Sequence, residues 1–302
     1  MTEASIVHER VYPMKKQKWH TDHAYGSVKL SYLIKRPLFR LRTNYQVIEI
    51  LDTEAYGLAL FLGGDMQLTQ RDEYIYHEMI SHVALFTHKK ARRILIIGGG
   101  DGGTLREVLK HPVEKVTLVE VDRHVIESCR KYMPAISDGA FDDPRVEIVI
   151  GDGARYVATS KENFDIILVD STDRIGPAIK LYSKKFYEAC KNRLGKNGIL
   201  VNQIGMPFLF PNFLKEMTER RGSYFASATS YLAVVPSYYG GAIGFGWATN
   251  ENLRYDEEFF RKLAQRFKRS GINTRYYSPH IHKSSFVLPP VLPGYSAVAP
   301  GH

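Results

Sequence analysis

The chain has 302 residues, 44% of them hydrophobic, which is enough for one large domain or for one large and one small domain. The net charge of +9 is spread along the chain without a stacking platform or a recognised binding motif, so no nucleic-acid partner is expected. No apolar run approaches the roughly 20 residues that cross a bilayer, so no membrane association is expected either.

The cysteines and the first residues bear on the compartment. Cys129 and Cys190 fall in segments with helical patterns and imply no disulfide framework. Residues 1–5 lack the basic start and apolar stretch of a signal peptide. We therefore expect a cytoplasmic protein with buried or spare thiols.

The first 70 residues have the pattern of β-structure. Residues 45–52 are rich in β-branched and apolar side chains, and residues 57–62 follow after a turn-like stretch. Gly63 and Gly64 then give a hairpin signal. The basic segment 35–42 is compatible with an amphipathic strand or with a binding arm. The pattern predicts a small antiparallel β domain over residues 1–70, ahead of a larger domain over residues 71–302.

From residue 71 onward, helical and strand patterns alternate. A helical spacing covers residues 71–86, and the short apolar runs that follow are typical of strands buried on both faces of a parallel sheet. Strands are predicted at 94–97, 116–119, 146–150, 164–169 and 198–201, and helices at 104–109, 124–132, 154–159 and 184–194. The alternation predicts an α/β fold with a doubly wound, Rossmann-like sheet.

The last third of the chain carries two further strand candidates. A helix that leads on from residue 217 is followed by strand patterns at 226–235 and 242–248 and by a final helix at 256–270. Two late strands predict an antiparallel hairpin that closes the sheet, as in methyltransferase-type folds.

A glycine-rich turn, Gly98-Gly99-Gly100-Asp101-Gly102-Gly103, follows the first strand of this larger domain and opens a helix. Such glycines allow a tight turn and close backbone approach, which suits NAD, FAD or S-adenosylmethionine. Asp101 would repel a pyrophosphate but can pair with the amine of a methionine-like group. A turn that binds nothing is disfavoured in this strand–turn–helix context.

Two further acids follow the next strands. Glu120 ends the second strand about 20 residues after Asp101, the spacing of an acid that accepts from both hydroxyls of a ribose. Asp152, followed by Gly153, ends the third strand. It can accept from an adenine amino group, or it can be an ordinary N-cap of the next helix, and one residue can serve both roles.

Asp170 and Asp173 stand at the end of the fourth strand, before Gly176-Pro177. The carboxyl ends of strands in such sheets are where ligands bind. A pair of carboxylates there suits a cationic amine, because it holds the charge and can take a proton. The competing interpretation is a turn in which both aspartates cap backbone groups.

The ordered set of motifs resembles the polyamine aminopropyltransferases, the spermidine synthase family. It consists of GGGDGG at 98–103, VEVD at 119–122, GDGA at 151–154 and DSTDRIGPA at 170–178. Segments 71–79, 236–241 and 276–282 are also similar to family signatures, so the resemblance covers about residues 19–289.

The resemblance implies a donor, decarboxylated S-adenosylmethionine, and a set of residues that bind it. Asp101 would hold the aminopropyl amine with help from His77 and Gln46, and Glu120 would hold the ribose. Asp152, Gly153 and Pro177 would lie at the adenine. Gly99 is also implied as a donor-binding residue.

The resemblance also implies an acceptor site and the reaction. Asp170 would be the catalytic base, and Asp173 would help to hold the acceptor amine. Tyr76, Gln203 and Tyr238 match positions that line the acceptor channel. The reaction would be a direct displacement with no metal and no cofactor. Family members are usually dimers or tetramers, so a homo-oligomer is expected.

His280 and His282 form the one further pair that suggests a metal site. No cysteine or acid completes such a site near them, so both are interpreted as structural.

Arg174 departs from the family pattern, which usually has proline there. It is either a solvent-facing substitution or a partner for a carboxylate, on the acceptor or on intact S-adenosylmethionine, and the latter would give carboxyaminopropyl transfer. Putrescine fits best as the acceptor, while agmatine, cadaverine, diaminopropane and spermidine stay open. Two further functions stay open as well: a methyltransferase, which would share Glu120 and Asp152, and a non-catalytic nucleoside-binding protein.

Overall fold

The structure, a computed structural model, describes residues 18–172, 176–253, 255–290 and 292, without the side chains of residues 24, 25, 176 and 177. No described helix combines the length and the apolar character that crossing a bilayer requires.

The N-terminal part is a five-stranded antiparallel sheet in which each strand pairs with the next. Its strands are β1 (Lys18–Tyr25), β2 (Val28–Arg42), β3 (Val47–Thr53), β4 (Gly57–Leu62) and β5 (Asp65–Thr69). Gly63 and Gly64 have φ angles of 65° and 99° and form the two-residue turn between β4 and β5, which confirms the predicted hairpin. The basic segment 35–42 belongs to β2, so the strand interpretation is the correct one.

The larger part is a seven-stranded mixed sheet. Its strands are β6 (Arg93–Gly98), β7 (Lys115–Glu120), β8 (Val146–Ile150), β9 (Phe164–Asp170), β10 (Leu194–Gln203), β11 (Ser227–Val234) and β12 (Ala242–Thr249). The spatial order is β11-β12-β10-β9-β6-β7-β8. β12 runs antiparallel to both of its neighbours, whereas β6 to β10 pair in parallel. This arrangement confirms the methyltransferase-type fold and the late antiparallel hairpin.

Helices cover both faces of this sheet. They are α1 (Glu73–Thr87), α2 (Gly103–Leu109), α3 (Arg123–Tyr132), α4 (Pro134–Ser137), α5 (Gly153–Thr159), α6 (Lys184–Arg193), α7 (Pro211–Gly222), α8 (Glu257–Ser270) and α9 (Pro279–Ser285), with 3-10 helices at Ala140–Asp142 and Gly176–Tyr182. Along β6, Ile94 and Ile96 pack in the cluster of α1 and α2, whereas Leu95 and Ile97 pack in the cluster of α5 and α6. The alternation explains why every residue of the run is apolar.

The two sheets meet beside α3. Ile48, Leu60 and Leu68 of the N-terminal sheet pack in one buried cluster with Val125 and Cys129 of α3. This contact brings the β4–β5 hairpin over the carboxyl ends of the parallel strands, and a cavity lies between them.

Candidate active site

The cavity has a volume of about 400 Å³ and collects the predicted site residues at one place. Every predicted site residue that the structure describes in full lines it: Gln46, Tyr76, His77, Gly99, Asp101, Glu120, Asp152, Gly153, Asp170, Gln203 and Tyr238. Asp173, Arg174 and the side chain of Pro177 lie outside the described residues.

The glycine-rich turn joins the ends of β6 and β9. Gly98 has a φ of +79°, and a Cβ there would lie 2.0 Å from the carbonyl oxygen of Asp170. The neighbouring Gly99 N–H donates to that same oxygen at 2.8 Å. The turn therefore accepts no side chain at Gly98, and it fixes Asp101 relative to Asp170.

Asp101 is held by a buried chain of charges. Its Oδ1 accepts from the Gly103 N–H at 2.7 Å and lies 3.2 Å from His77 Nε2. His77 Nδ1 is 2.6 Å from Glu73 Oε2, and the same oxygen pairs with Arg106 at 2.9 Å. Burial disfavours the protonated imidazole, but Asp101 and Glu73 outweigh it and raise the pKa of His77 to about 10.

This chain of charges decides how His77 acts. With both ring nitrogens donating to carboxylates, His77 has no free nitrogen for a ligand. Its influence on anything bound in the cavity therefore passes through neighbouring carboxylates, above all Asp101, whose pKa it lowers against the opposing effect of burial.

Each carboxylate oxygen of Asp170 accepts a hydrogen bond from a hydroxyl group. Tyr76 donates to Oδ1 at 2.8 Å, and Thr104 donates to Oδ2 at 2.6 Å. Burial and the charge of Asp101 raise the pKa of Asp170, and His77 and the two hydroxyls oppose the rise. Thr104 stands directly after the glycine-rich turn, but no sequence motif indicated this contact with Asp170.

Glu120 lies at the end of β7, is buried and lines the cavity. Its Oε1 accepts from the backbone N–H of Asp122 at 2.9 Å. Burial raises its pKa to about 7, and the charges of Asp122 and Asp101 add to the rise. Hydrogen bonds from two hydroxyl donors, such as those of a ribose diol, would favour the ionised form of this carboxylate.

Asp152 already has two partners. Oδ1 accepts from the Arg155 N–H at 3.1 Å, which confirms the N-cap interpretation, and Oδ2 pairs with Lys180 at 2.7 Å. Lys180 is 64% exposed and was not expected from the sequence. An amino group that approached Asp152 from the cavity would share these oxygens with Lys180.

The far end of the cavity carries side chains from both parts of the chain. Gln203 donates from Nε2 to the Ser171 carbonyl at 3.0 Å, and Tyr238 donates to the Gln67 carbonyl at 2.6 Å. The buried Asp22 of β1 also lines the cavity and accepts from Tyr239 OH at 2.8 Å. Sequence reasoning missed Asp22 because β1 itself was not predicted.

The cavity contains one candidate set of metal ligands among the described residues. Atoms of His77, Asp101 and Asp170 lie within 4.8 Å of one another. The engaged and protonated imidazole has no lone pair for a metal, so this set suits cationic ammonium groups better. Away from the cavity, His282 is buried and its Nδ1 lies 2.9 Å from Tyr277 OH, in keeping with a structural role.

Fold and cavity together define a class of protein: one of the methyltransferase-like fold, with a cavity at the ends of the parallel strands that combines the buried Glu120 with the carboxylate pair Asp101 and Asp170. Comparison with protein families narrows the class. The family model of the spermine/spermidine synthase domain matches residues 73–260, and that of the spermidine synthase tetramerisation domain matches residues 18–70. The chain belongs to the spermidine synthase family, the polyamine aminopropyltransferases.

Relatives and solved structures agree with this assignment. The chain is 47% identical over 260 residues to polyamine aminopropyltransferase 1 of Pseudomonas aeruginosa, covering 85% of this chain and 90% of the relative. It is 44% identical to the polyamine aminopropyltransferase of a Thermoanaerobacter species, covering 90% and 95%.

Two solved structures superimpose over nearly the whole chain. A spermidine synthase in complex with the transition-state analogue AdoDATO matches with a TM-score of 0.85 at 36% identity, covering 94% of this chain and 96% of that one. The spermidine synthase of Thermotoga maritima matches with a TM-score of 0.82 at 35% identity, covering 94% and 95%.

Proposed function

We propose that this enzyme transfers the aminopropyl group of decarboxylated S-adenosylmethionine to putrescine, giving spermidine and methylthioadenosine. The observation that carries the proposal is the pair of carboxylates, Asp101 and Asp170, at the end of a cavity that also contains Glu120. One carboxylate is available for the donor amine and the other for the acceptor amine.

The donor end is assigned by charge and position. Asp101 binds the ammonium of the aminopropyl group, Gln46 contributes beside it, and Glu120 accepts from the ribose hydroxyls. Asp152, Gly153 and Pro177 hold the adenine, and Gly99 allows the donor to approach the backbone. An intact donor would bring a carboxylate close to Asp101, which favours the decarboxylated form.

The reaction begins with removal of a proton from the acceptor. An alkylammonium has a pKa of about 10, so it is mostly protonated at neutral pH and is not nucleophilic. Asp170 accepts one proton from the bound ammonium. The freed lone pair forms a bond to the methylene carbon next to the sulfonium, the C–S bond breaks, and its electron pair stays on the sulfur of the leaving methylthioadenosine.

Alignment of the two reactants supplies much of the acceleration, since both are held in one cavity. Asp173 adds a second carboxylate for the acceptor, and Tyr76, Gln203 and Tyr238 form the channel wall. The displacement needs no metal and no cofactor. We further propose a cytoplasmic homo-oligomer, a dimer or tetramer: two free, buried cysteines suit a reducing compartment, and the match to the tetramerisation domain supports assembly.

The test is a mass-spectrometric product assay with decarboxylated and intact S-adenosylmethionine against putrescine, diaminopropane, cadaverine, agmatine and spermidine. We expect spermidine and methylthioadenosine from the decarboxylated donor with putrescine. Faster turnover of another amine overturns the acceptor assignment. A carboxyaminopropyl product from the intact donor would assign Arg174 to its carboxylate, and an Arg174→Pro variant should then lose that donor. S-adenosylhomocysteine as the product would indicate a methyltransferase.

A further inference from the structure

Thr104 makes a contact that the assigned roles leave unexplained. It lies in the first turn of α2, is completely buried, and donates its hydroxyl hydrogen to Asp170 Oδ2 at 2.6 Å. This distance is in the range of hydrogen bonds from a hydroxyl to an ionised carboxylate. The hydroxyl has a single hydrogen, so the contact commits it to Asp170.

The contact completes a clamp on the carboxylate. Because Tyr76 occupies Oδ1 and Thr104 occupies Oδ2, the carboxyl group cannot rotate without breaking a hydrogen bond. Each oxygen keeps one further lone pair, which is what a base needs to accept a proton. The clamp joins α1, which carries Tyr76, to α2, which carries Thr104, across the end of β9.

The position of Thr104 also links the two reactants. Asp101 precedes it by one turn of chain, and the Gly103 N–H between them donates to Asp101. The same short segment therefore fixes the carboxylate for the donor amine and the carboxylate for the acceptor amine. A shift of this turn would move both together.

We propose that Thr104 is a positioning residue for aminopropyl transfer, which holds the Asp170 carboxylate in its reactive orientation and favours its ionised form. The proposal rests on the role of Asp170 as the base. It predicts that loss of the Thr104 hydroxyl impairs the chemical step and leaves donor binding intact.

The experiment compares Thr104→Val, which removes the hydroxyl at nearly constant volume, with Thr104→Ser, which keeps it. Thr117→Val is the matched control, because Thr117 is equally buried, on β7, and its hydroxyl has no hydrogen-bond partner among the described residues. The readouts are kcat, the KM for each substrate and the pH dependence of kcat/KM, whose acidic limb reports the base of the free enzyme.

We expect Thr104→Val to lower kcat about 10- to 100-fold, the range for one hydrogen bond to a charged group. The acidic limb of kcat/KM should move to higher pH, because the lost donor had favoured the ionised carboxylate. The KM for the donor should stay within about twofold. Thr104→Ser should recover most of the activity and the original limb, and Thr117→Val should match the unmodified enzyme.

An unchanged kcat and acidic limb in folded Thr104→Val overturns the proposal. Equal loss in the Ser and Val variants also overturns it, since packing would then explain both. If Thr104→Val does not fold, Thr104→Ala provides the same readout. Full activity of Asp170→Asn would instead show that Asp170 is not the base. That result would refute the proposed function, and it is distinct from the results that refute only this inference.

Discussion

Asp101 and Asp170 bring carboxylate oxygens to within 4.8 Å of each other in one cavity. Each raises the electrostatic cost of ionising the other, and the charge of Asp101 contributes to the raised pKa of Asp170. His77 supplies one compensating positive charge. An ammonium group on each substrate would pair with one of these two carboxylates, which is why we propose that two cationic reactants bind side by side.

Replacing Asp101 with asparagine should selectively weaken binding of the donor. We expect the Kd for decarboxylated S-adenosylmethionine to rise about 10- to 100-fold, because a hydrogen-bonded charge pair is lost. Methylthioadenosine lacks the aminopropyl amine, so its Kd should change by less than about twofold. Isothermal titration calorimetry measures both, and an equal loss for the two ligands would contradict the assignment of Asp101 to the amine.

The carboxylate of Glu120 should cost stability in the empty protein. Its pKa of about 7 is raised from 4.5, so its contribution is favourable below pH 4.5 and is lost as the pH rises through 7. We therefore expect Glu120→Gln to be more stable than the unmodified protein at pH 8, measured by denaturant unfolding. The exposed Glu127→Gln on α3 is the control and should show no gain.

The same carboxyl group should make nucleoside binding depend on pH. In the proposed donor site, ribose hydroxyls donate to the ionised form of Glu120, so the Kd of methylthioadenosine should rise as the pH falls from 8 to 6. Binding near pH 7 should release protons, which calorimetry detects in buffers of different ionisation enthalpy. In Glu120→Gln the Kd of methylthioadenosine should be higher by about tenfold or more and should no longer depend on pH. A pH dependence that persists in this variant would point to another titrating group.

His77 should stabilise the folded protein at neutral pH, and this stabilisation should be lost at alkaline pH. Its folded pKa of about 10 exceeds the ordinary 6.5, so the stabilisation is complete below pH 6.5 and is lost as the pH rises through 10. His77→Gln should be less stable at pH 6.5, and the gap to the unmodified protein should narrow toward pH 10. His23→Gln, at an exposed position, is the control and should show a constant gap. A gap that does not narrow would mean that His77 is neutral.

The sequence was most informative where one residue type is physically required. The all-apolar run of β6 and the glycines after it predicted a buried strand and a tight turn, and Gly98 does lie where no Cβ fits. Glu120 and Asp170 were predictable because the ends of parallel strands meet at one edge of the sheet. The apolar run, the glycines and the acids at strand ends are each visible within a few consecutive residues, so they can be identified before the structure is known.

Elements that depend on partners were missed. β1 has no apolar alternation and becomes a strand by pairing with β2, from Lys18 opposite Ile34 onward. α9 has only seven residues, begins at Pro279 and is capped by Ser278, which is too short for a periodic pattern. α7 begins at Pro211, before the predicted helix, because proline fits the first turn of a helix.

The supporting contacts of the site were missed for a related reason. Thr104 reaches Asp170 because α2 begins beside the end of β9. Arg106 reaches Glu73, the i,i+4 partner of His77, because α1 and α2 pack side by side. No spacing along the chain encodes that contact. The sequence therefore predicted four of the acids that line the cavity, Asp101, Glu120, Asp152 and Asp170, but neither Asp22 nor the groups that orient these acids.

The most direct test of the account is the turnover of Asp170→Asn with decarboxylated S-adenosylmethionine and putrescine. A general base contributes about 100- to 10,000-fold, so kcat should fall by at least 100-fold, while the Kd of methylthioadenosine stays within about twofold. Spermidine formation within about threefold of the unmodified enzyme would contradict the central claim that Asp170 takes the proton from the acceptor amine.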